Sequence, residues 1–395
     1  MSKDRQWRPQ TLGIRAADQR SEWGEHSAAI HPTSSFVFAS AEEAAARFSG
    51  QEQGFIYSRF TNPTVQAFEQ RLAAMEGGSH CVATASGMAA VMSTCFALLN
   101  AGDHMLAAEG LFGSTTGFLL NHLTRFGVQV DLVDPTDVAA WEAACQPNTK
   151  MFLVETPTNP LCRVSDLRAL AAVARSHQAT FVVDNCFCTP ALQRPLNWGA
   201  DLVIHSATKF LDGQGRCVGG AVVGDPQRVG EKIFGFLRSA GPSMSPFNAW
   251  VFLKGLETLD LRMQAHSRNA QDLAHWFQEQ PGVNQVHYTG LSSHPEHVLA
   301  NRQQSAHGAI MAIELAGGQP QAYAFINACK LVSITANLGD ARTTVTHPAS
   351  TTHYRIGPEA RAAAGINDGL VRLSIGLEHV EDLREDFAQA LEQSG

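Results

Sequence analysis

The sequence predicts an α/β protein with a mainly parallel sheet in a large domain and a smaller α/β C-terminal domain. Three observations point there. From Cys81 to Val223, short apolar runs alternate with amphipathic stretches of helical length, which is the pattern of repeated βαβ units. Polar residues follow those runs directly, as Asp184 follows Thr180-Phe-Val-Val, and open parallel sheets gather their functional groups at the carboxyl ends of strands. The length of 395 residues also exceeds that at which a single core stops growing.

The elements follow in order. Residues 1–60 have little periodic signal and read as an extended arm. The run Cys81-Val-Ala-Thr-Ala-Ser-Gly87 reads as strand, tight turn and helix start. His104–Ala108, Val128–Val133, Met151–Val154, Phe181–Val183, Leu202–Ile204 and Gly219–Val223 are short enough and apolar enough for buried strands. Between them, Asp137–Cys145 and Val164–His177 have helical periodicity. Gly241-Pro242 marks a loop. Pro246–Arg268 reads as one long helix that bridges to the second domain, where Ala309–Glu314 and Val371–Ile375 are strands and Val380–Gln393 a terminal helix. The expected division is an arm over 1–60, a large domain over 61–255 and a C-terminal domain over 256–395.

Composition narrows the function. A formal charge of −8 argues against nucleic-acid binding. The uncharged run between Cys81 and Asp103 is broken by Ala85-Ser-Gly87 and is rich in Ala, Ser and Thr, so it is expected to form buried strand and core helix and not a membrane span. Met1-Ser-Lys-Asp-Arg-Gln-Trp-Arg-Pro9 has no apolar core, so no secretory leader is expected and the expected location is the cytoplasm. The eight cysteines lie mostly inside apolar stretches and are expected to be reduced core thiols. Cys186-Phe-Cys188 lacks a second ligand pair, and the spacing of His347 and His353 matches no metal motif; no metal is expected.

The chemistry concentrates in two segments. Ala200-Asp-Leu-Val-Ile-His-Ser-Ala-Thr-Lys209 places a lysine just past an apolar strand, with Ser206 and Thr208 beside it. A poorly solvated ammonium is easier to deprotonate, and a neutral amine is what a Schiff base with an aldehyde requires. Asp184 ends the preceding strand. A lysine that can hold an aldehyde and an aspartate that can pair with a pyridinium nitrogen are the two protein groups that pyridoxal phosphate needs. Singly, such a lysine is often a solvated loop residue and such an aspartate a helix cap; together, on successive strands, they point to the cofactor. Of the six lysines, at positions 3, 150, 209, 232, 254 and 330, Lys209 has this setting. Ser86, Gly87 and Met88 open a helix whose first N–H groups can take a phosphate, although Ser86 is equally suited to be an N-cap. Ser206 and Thr208 can add hydroxyl donors to the same anion. Tyr57-Ser-Arg59 is either a solvated loop or an aromatic–basic anion site. Asn159 either donates to a cofactor oxygen or makes an Asn-Pro turn.

These segments carry a resemblance that extends over nearly the whole chain. Tyr57-Ser-Arg-Phe-Thr-Asn-Pro63, Ser86-Gly-Met-Ala-Ala90, Glu155-Thr-Pro-Thr-Asn-Pro160, Asp184-Asn-Cys-Phe-Cys-Thr-Pro190 and Ser206-Ala-Thr-Lys-Phe-Leu-Asp-Gly-Gln-Gly215 resemble, in this order, the Cys/Met-metabolism family of pyridoxal-phosphate enzymes. Val371-Arg-Leu-Ser-Ile-Gly-Leu-Glu378 resembles the family's carboxylate-binding segment. Ala336-Asn-Leu-Gly-Asp-Ala-Arg342 and His347-Pro-Ala-Ser-Thr-Thr-His353 are similar to its O-succinylhomoserine sulfhydrylase branch.

The resemblance implies an aspartate-aminotransferase-like (fold type I) transferase that makes homocysteine from O-succinyl-L-homoserine and sulfide in methionine biosynthesis. It implies catalytic roles for Lys209, Tyr57 and Asp184. It implies a cofactor site of Tyr57, Arg59, Ser86, Gly87, Met88, Phe112, Asn159, Asp184, Ser206, Thr208 and Lys209. Substrate contacts would come from Asn159, Ser333, Asn337 and Arg372. Tyr57 and Arg59 would reach the neighbouring subunit's phosphate, so the implied assembly is a homodimer with shared sites, extended to a homotetramer. Phe112 stands where many relatives place a tyrosine against the cofactor ring, so stacking survives without a phenol. Cystathionine-handling relatives carry an acidic residue where this chain has Ala336, which favours sulfide over cysteine as donor. The alternatives within the family are a cystathionine γ-synthase, a γ-lyase and an O-acetylhomoserine sulfhydrylase. Outside it stand a regulatory relative without turnover and a nicotinamide dehydrogenase. Gly213-Gln-Gly215 does not open a βαβ unit, which weighs against the last.

Overall fold

The computed structural model describes residues 7–18 and 20–395, with the side chains of Ala360 and Ala363 also left aside; Lys3 and the rest of the first six residues lie outside the described part. Seven strands form the large sheet: β1 (His80–Thr84), β2 (His104–Ala108), β3 (Gln129–Val133), β4 (Thr149–Glu155), β5 (Thr180–Asp184), β6 (Leu202–Ser206) and β7 (Gly220–Gly224). Their order is β1-β7-β6-β5-β4-β2-β3. The pairs from β6 through β5, β4 and β2 to β3 are all parallel, and β7 runs antiparallel between β6 and β1.

The strands are apolar because both faces are covered. One face packs with Ala90, Val91, Leu106, Trp141, Phe152, Leu170 and Ile233, among others. The other packs with Phe68, Leu72, Val203, Phe210, Phe252 and Met263. The helices that cover them have sequence-coded starts. Asp166 accepts from the Ala169 N–H at 3.0 Å and opens Leu167–Ser176, which buries Leu167, Leu170, Ala171, Val173 and Ala174. Asp137 does the same for Val138–Ala144 through the Ala140 N–H. Trp141 in that helix is fully buried and donates its indole N–H to the Asp134 carbonyl at 2.8 Å.

A second sheet holds β8 (Val283–His287), β9 (Ile310–Leu315), β10 (Ser333–Ile334), β11 (Thr344–Thr346) and β12 (Leu370–Ser374), in the order β10-β11-β12-β9-β8. The terminal helix Val380–Ser394 and the helix Gly318–Ala328 pack with it through Phe325, Leu383 and Phe387. No described helix is long and apolar enough to cross a membrane; Cys81–Asp103 forms β1, a turn and the helix Gly87–Leu98.

Two expectations need correction. Pro246–Arg268 is not one helix: Pro246–Glu257 ends and Leu259–Gln278 begins at Thr258, whose φ of −112° and ψ of 6° leave the helical path. The first sixty residues are not wholly an extended arm. They contain Pro9–Arg15 and Ala41–Ser49, the latter opened by Ser40 and closed by Gly50 at φ +77°. The segment is tied to its own subunit: Arg71 donates to the Ala16 carbonyl at 2.8 Å and Trp250 to the Ala28 carbonyl at 2.9 Å.

Beneath the strand ends lies a fully buried pair. His205 Nε2 is 2.6 Å from Glu76 Oε1, which also accepts from Asn185 Nδ2 at 3.1 Å. Asn185 follows Asp184 and His205 precedes Ser206, so the pair braces both strand ends from below. Removing one partner strands the other in an apolar setting. Glu76→Ala is expected to cost about 3–5 kcal/mol of stability, read as a lower denaturant midpoint; an unchanged midpoint would show that the pair does not brace the sheet.

Candidate active site

Three neighbouring strands deliver the first groups. Glu155 ends β4 and Asp184 ends β5, where the two are register partners. Ser206 ends β6, and Lys209 follows in a turn closed by its N–H to the Ser206 carbonyl at 3.2 Å. Asp184 is half-buried, and the desolvation it suffers there pushes its carboxyl up from the usual range. The Cys186 main chain donates to its Oδ1 at 3.0 Å, and the Cys186 thiol also bonds the carboxylate. The thiol in turn accepts from the Ser206 N–H at 2.8 Å. Burial lowers the ammonium of Lys209, the direction a nucleophilic amine needs.

The second sheet supplies the opposite wall. Lys209 Nζ donates to Asn337 Oδ1 at 2.6 Å. Arg372, on β12 and 2% exposed, donates through Nη1 to Asn159 Oδ1 at 3.2 Å and through Nη2 to the Ala336 carbonyl at 2.9 Å. Its Nε is buried without a partner, and burial brings the guanidinium down to about 10. Lys209, Asn337, Arg372 and Asn159 therefore form one connected constellation across the two sheets. Gly339 permits this approach: at φ +81°, a Cβ there would meet the Phe210 nitrogen at 2.8 Å and the Lys209 carbonyl carbon at 3.0 Å.

An anion cradle lies alongside. Ser86 Oγ accepts from the Ala89 N–H at 3.0 Å, so its hydroxyl serves as the N-cap of Gly87–Leu98. Gly87 and Met88 are the first residues of that helix, where N–H groups lack intrahelical partners. A Cβ at Gly87 would lie 2.8 Å from the Ser206 Cβ, so the glycine brings the helix start against Ser206. Thr208 Oγ1 accepts from the Gly219 N–H at 3.1 Å and holds the neighbouring loop. The donor set of hydroxyls and free helix-start amides fits a phosphate, and Lys209 with the half-buried Asp184 fits an aldehyde-bearing pyridine.

The remaining predicted residues divide. The Phe112 N–H donates to Glu155 Oε2 at 2.9 Å, which places Phe112 beside the strand ends. Tyr57 is 40% exposed. The Arg59 guanidinium lies over the Phe60 ring at 4.6 Å and the Tyr57 ring at 5.5 Å, and also donates to the Arg238 carbonyl. No contact described within the subunit joins Tyr57 or Arg59 to Lys209. Ser333 lies exposed on the edge strand β10 with its N–H on the Thr343 carbonyl at 3.0 Å, and no described bond links it to Lys209, Asn159 or Arg372. His347 bonds Ser350 Oγ and the Asp368 carbonyl as an ordinary loop histidine.

Sequence reasoning gave no role to Glu155 or Cys186. Glu155 carries the same signal as Asp184, a carboxylate at the end of an apolar strand. Cys186 has no comparable signal, because its place against both Asp184 and Ser206 is set by the turn after β5.

The model of the family described as Cys/Met metabolism PLP-dependent enzyme matches residues 10–392. The O-succinylhomoserine sulfhydrylase of Pseudomonas aeruginosa is 55% identical over 381 residues, covering 96% of this chain and 94% of that one. The L-methionine gamma-lyase of Pseudomonas putida is 45% identical, with 92% of each chain covered. A Campylobacter jejuni structure that holds N′-pyridoxyl-lysine-5′-monophosphate superposes with a TM-score of 0.95 at 31% identity, covering 98% of this chain and all of that one. The chain belongs to the Cys/Met-metabolism family of pyridoxal-phosphate-dependent enzymes, with the fold-type-I architecture of the aspartate aminotransferases.

Proposed function

We propose that the chain replaces the O-succinyl group of O-succinyl-L-homoserine with sulfide, giving L-homocysteine and succinate, as a cytoplasmic step of methionine biosynthesis. The observation that carries this reading is the Lys209–Asn337–Arg372–Asn159 constellation beside Asp184, in a chain 55% identical to an O-succinylhomoserine sulfhydrylase. Pyridoxal phosphate, when bound, supplies the electron sink that makes the substrate's Cα and Cβ protons acidic.

Arg372 is placed to bind the α-carboxylate, with Asn159 beside it and the unpartnered Nε as a further donor. Lys209 holds the cofactor in the resting enzyme. Its desolvated amine, when free, would be the group that takes the proton from Cα and moves protons at Cβ. Asp184 keeps the ring nitrogen protonated. Gly87, Met88, Ser206 and Thr208 would hold the phosphate through main-chain and hydroxyl donors, and Phe112 would offer its ring to the pyridine. The Cγ–O bond to succinate breaks and the Cγ–S bond forms.

Two features favour sulfide as donor and succinate as leaving group. The position before Asn337 is Ala336, whose carbonyl is occupied by Arg372, so no acidic side chain there awaits a second ammonium. An unpaired buried ammonium is costly. Arg342 lies on the segment that packs against the Lys209 loop and is 71% exposed, held only by Asp340 at 3.2 Å. It is a cation that the second carboxylate of a succinyl ester can use and an acetyl ester cannot. With cysteine and sulfide supplied equally, homocysteine is the expected main product, and the succinyl ester is expected to outcompete the acetyl ester. Cystathionine as the main product would move the chain to the γ-synthases, and breakdown of methionine without added ester to the γ-lyases.

The same reading places Tyr57 and Arg59 at the phosphate of a neighbouring subunit, in a homodimer that pairs into a homotetramer. The exposure of Tyr57, and the lack of a described link from either residue to Lys209 within one subunit, support it. Lys209→Ala and Arg59→Ala proteins are each expected to be inactive, and mixed hybrids to regain part of the activity, because one of the two shared sites is then intact. Verified hybrids with no recovery would contradict a shared site.

A further inference from the structure

Glu155 is a buried carboxyl with no role in the proposed chemistry. It is 6% exposed. Its Oε2 accepts from the Phe112 N–H at 2.9 Å, and the Asn159 main-chain N–H acts on the same carboxyl. Phe112 and Asn159 stand on different loops: Phe112 is the N-cap residue of Gly113–Asn121, and Asn159 is the residue that Arg372 holds. Glu155 therefore ties together two walls of the site that share no other described bond.

Its charge environment is unusual. Asp184 is its register partner on the adjacent parallel strand, a neighbour separation of about 4.8 Å between strands. Two carboxylates that share a buried site do not both ionise freely. The groups that act on the pair are Cys186, bonded to Asp184, His205, bonded to Glu76, Lys209, bonded to Asn337, and Arg372, whose Nη groups are taken by Asn159 and the 336–337 carbonyls. No cation among the described residues bonds Glu155 itself.

We propose that Glu155 is a positioning residue that holds the Phe112 ring and the Asn159 loop on the cofactor, and that it does so as the neutral member of a carboxyl pair in which Asp184 carries the charge. The inference rests on the proposed assignment of Lys209 and Asp184 to the cofactor. Burial, and after it the charge of Asp184, push the Glu155 carboxyl upward, and they outweigh the Phe112 and Asn159 N–H groups and Arg372, which pull it down. A neutral acid keeps a carbonyl oxygen to accept the Phe112 N–H and leaves Asp184 as the one negative partner of a protonated ring nitrogen.

Two variants of the holoenzyme separate position from charge. Glu155→Gln keeps the reach and lacks the charge. Glu155→Asp keeps an ionisable carboxyl but withdraws it from both N–H groups. Each protein is stripped of cofactor, titrated with pyridoxal phosphate, and followed by visible circular dichroism and by kcat and KM. The Gln variant is expected to stay within about threefold of wild type in cofactor affinity and kcat, because an isosteric neutral acceptor replaces a neutral acid. The Asp variant is expected to lose cofactor affinity and raise KM about tenfold each, with a changed visible dichroism, as the Phe112 N–H loses its acceptor. A Gln variant as impaired as the Asp variant would overturn the neutral-acid role. An Asp variant with a lower thermal midpoint but unchanged affinity, KM and dichroism would overturn the positioning role and leave a structural one. If wild type itself took up no cofactor, the proposed function would fall and this inference with it; a competent wild type keeps the two failures apart.

Discussion

A desolvated carboxylate at the end of a central strand is the constraint on which the rest of this structure depends. Asp184 lies where water is scarce, and burial works against its charge. The protein partly offsets that cost with the Cys186 main-chain N–H and thiol and with Lys209 at longer range. A thiol is a weak donor, and the Lys209 ammonium bonds to Asn337 instead. The carboxylate is thus left short of a close cation, which the protonated nitrogen of a pyridine ring would supply. The same burial lowers Lys209, so one desolvated pocket prepares both an amine for an aldehyde and an anion for a pyridinium.

The two sheets have divided tasks that meet at a few close approaches. The parallel sheet contributes strand ends, with Glu155, Asp184 and Ser206 side by side. The C-terminal sheet contributes Arg372, fixed from two sides by Asn159 and the Ala336 carbonyl. Gly339 lets the Asn337 segment lie against the Lys209 backbone, and Gly87 lets the phosphate-binding turn lie against Ser206. A side chain at either glycine would separate parts that must act on one small molecule. The braced pair of Glu76 and His205 lies directly under these strand ends, so stability and site geometry share the same residues.

Much of this was legible in the sequence, for physical reasons. Asp184 and Lys209 follow uninterrupted apolar runs, and a parallel sheet can only present such residues at one edge. The helix after Ser86 was legible from its small residues, and the 3.0 Å bond from the Ala89 N–H makes the Ser86 hydroxyl its cap while leaving the O–H free to donate. Asn337 and Arg372 could be named only through resemblance, because their chemistry depends on folding the second sheet onto the first. Ser333 carried the same resemblance but lies on an exposed edge strand. The break at Thr258 was hidden because both flanking helices are apolar on one face, and the arm's helix Ala41–Ser49 because its cap at Ser40 was passed over. Glu155 has the sequence signature of Asp184, and its separate place appears only in the fold, where the Phe112 N–H bonds it.

The central claim is that Asp184 acts as the charged partner of the cofactor's ring nitrogen and not as a cap for the turn after β5. Asp184→Asn measures this most directly, since an amide keeps the Cys186 N–H bond and removes only the charge. The account predicts a protein that still binds pyridoxal phosphate through Lys209 but turns over at least about a hundredfold more slowly, because a neutral partner cannot stabilise the electron sink. Turnover near that of wild type, with the cofactor bound, would contradict it.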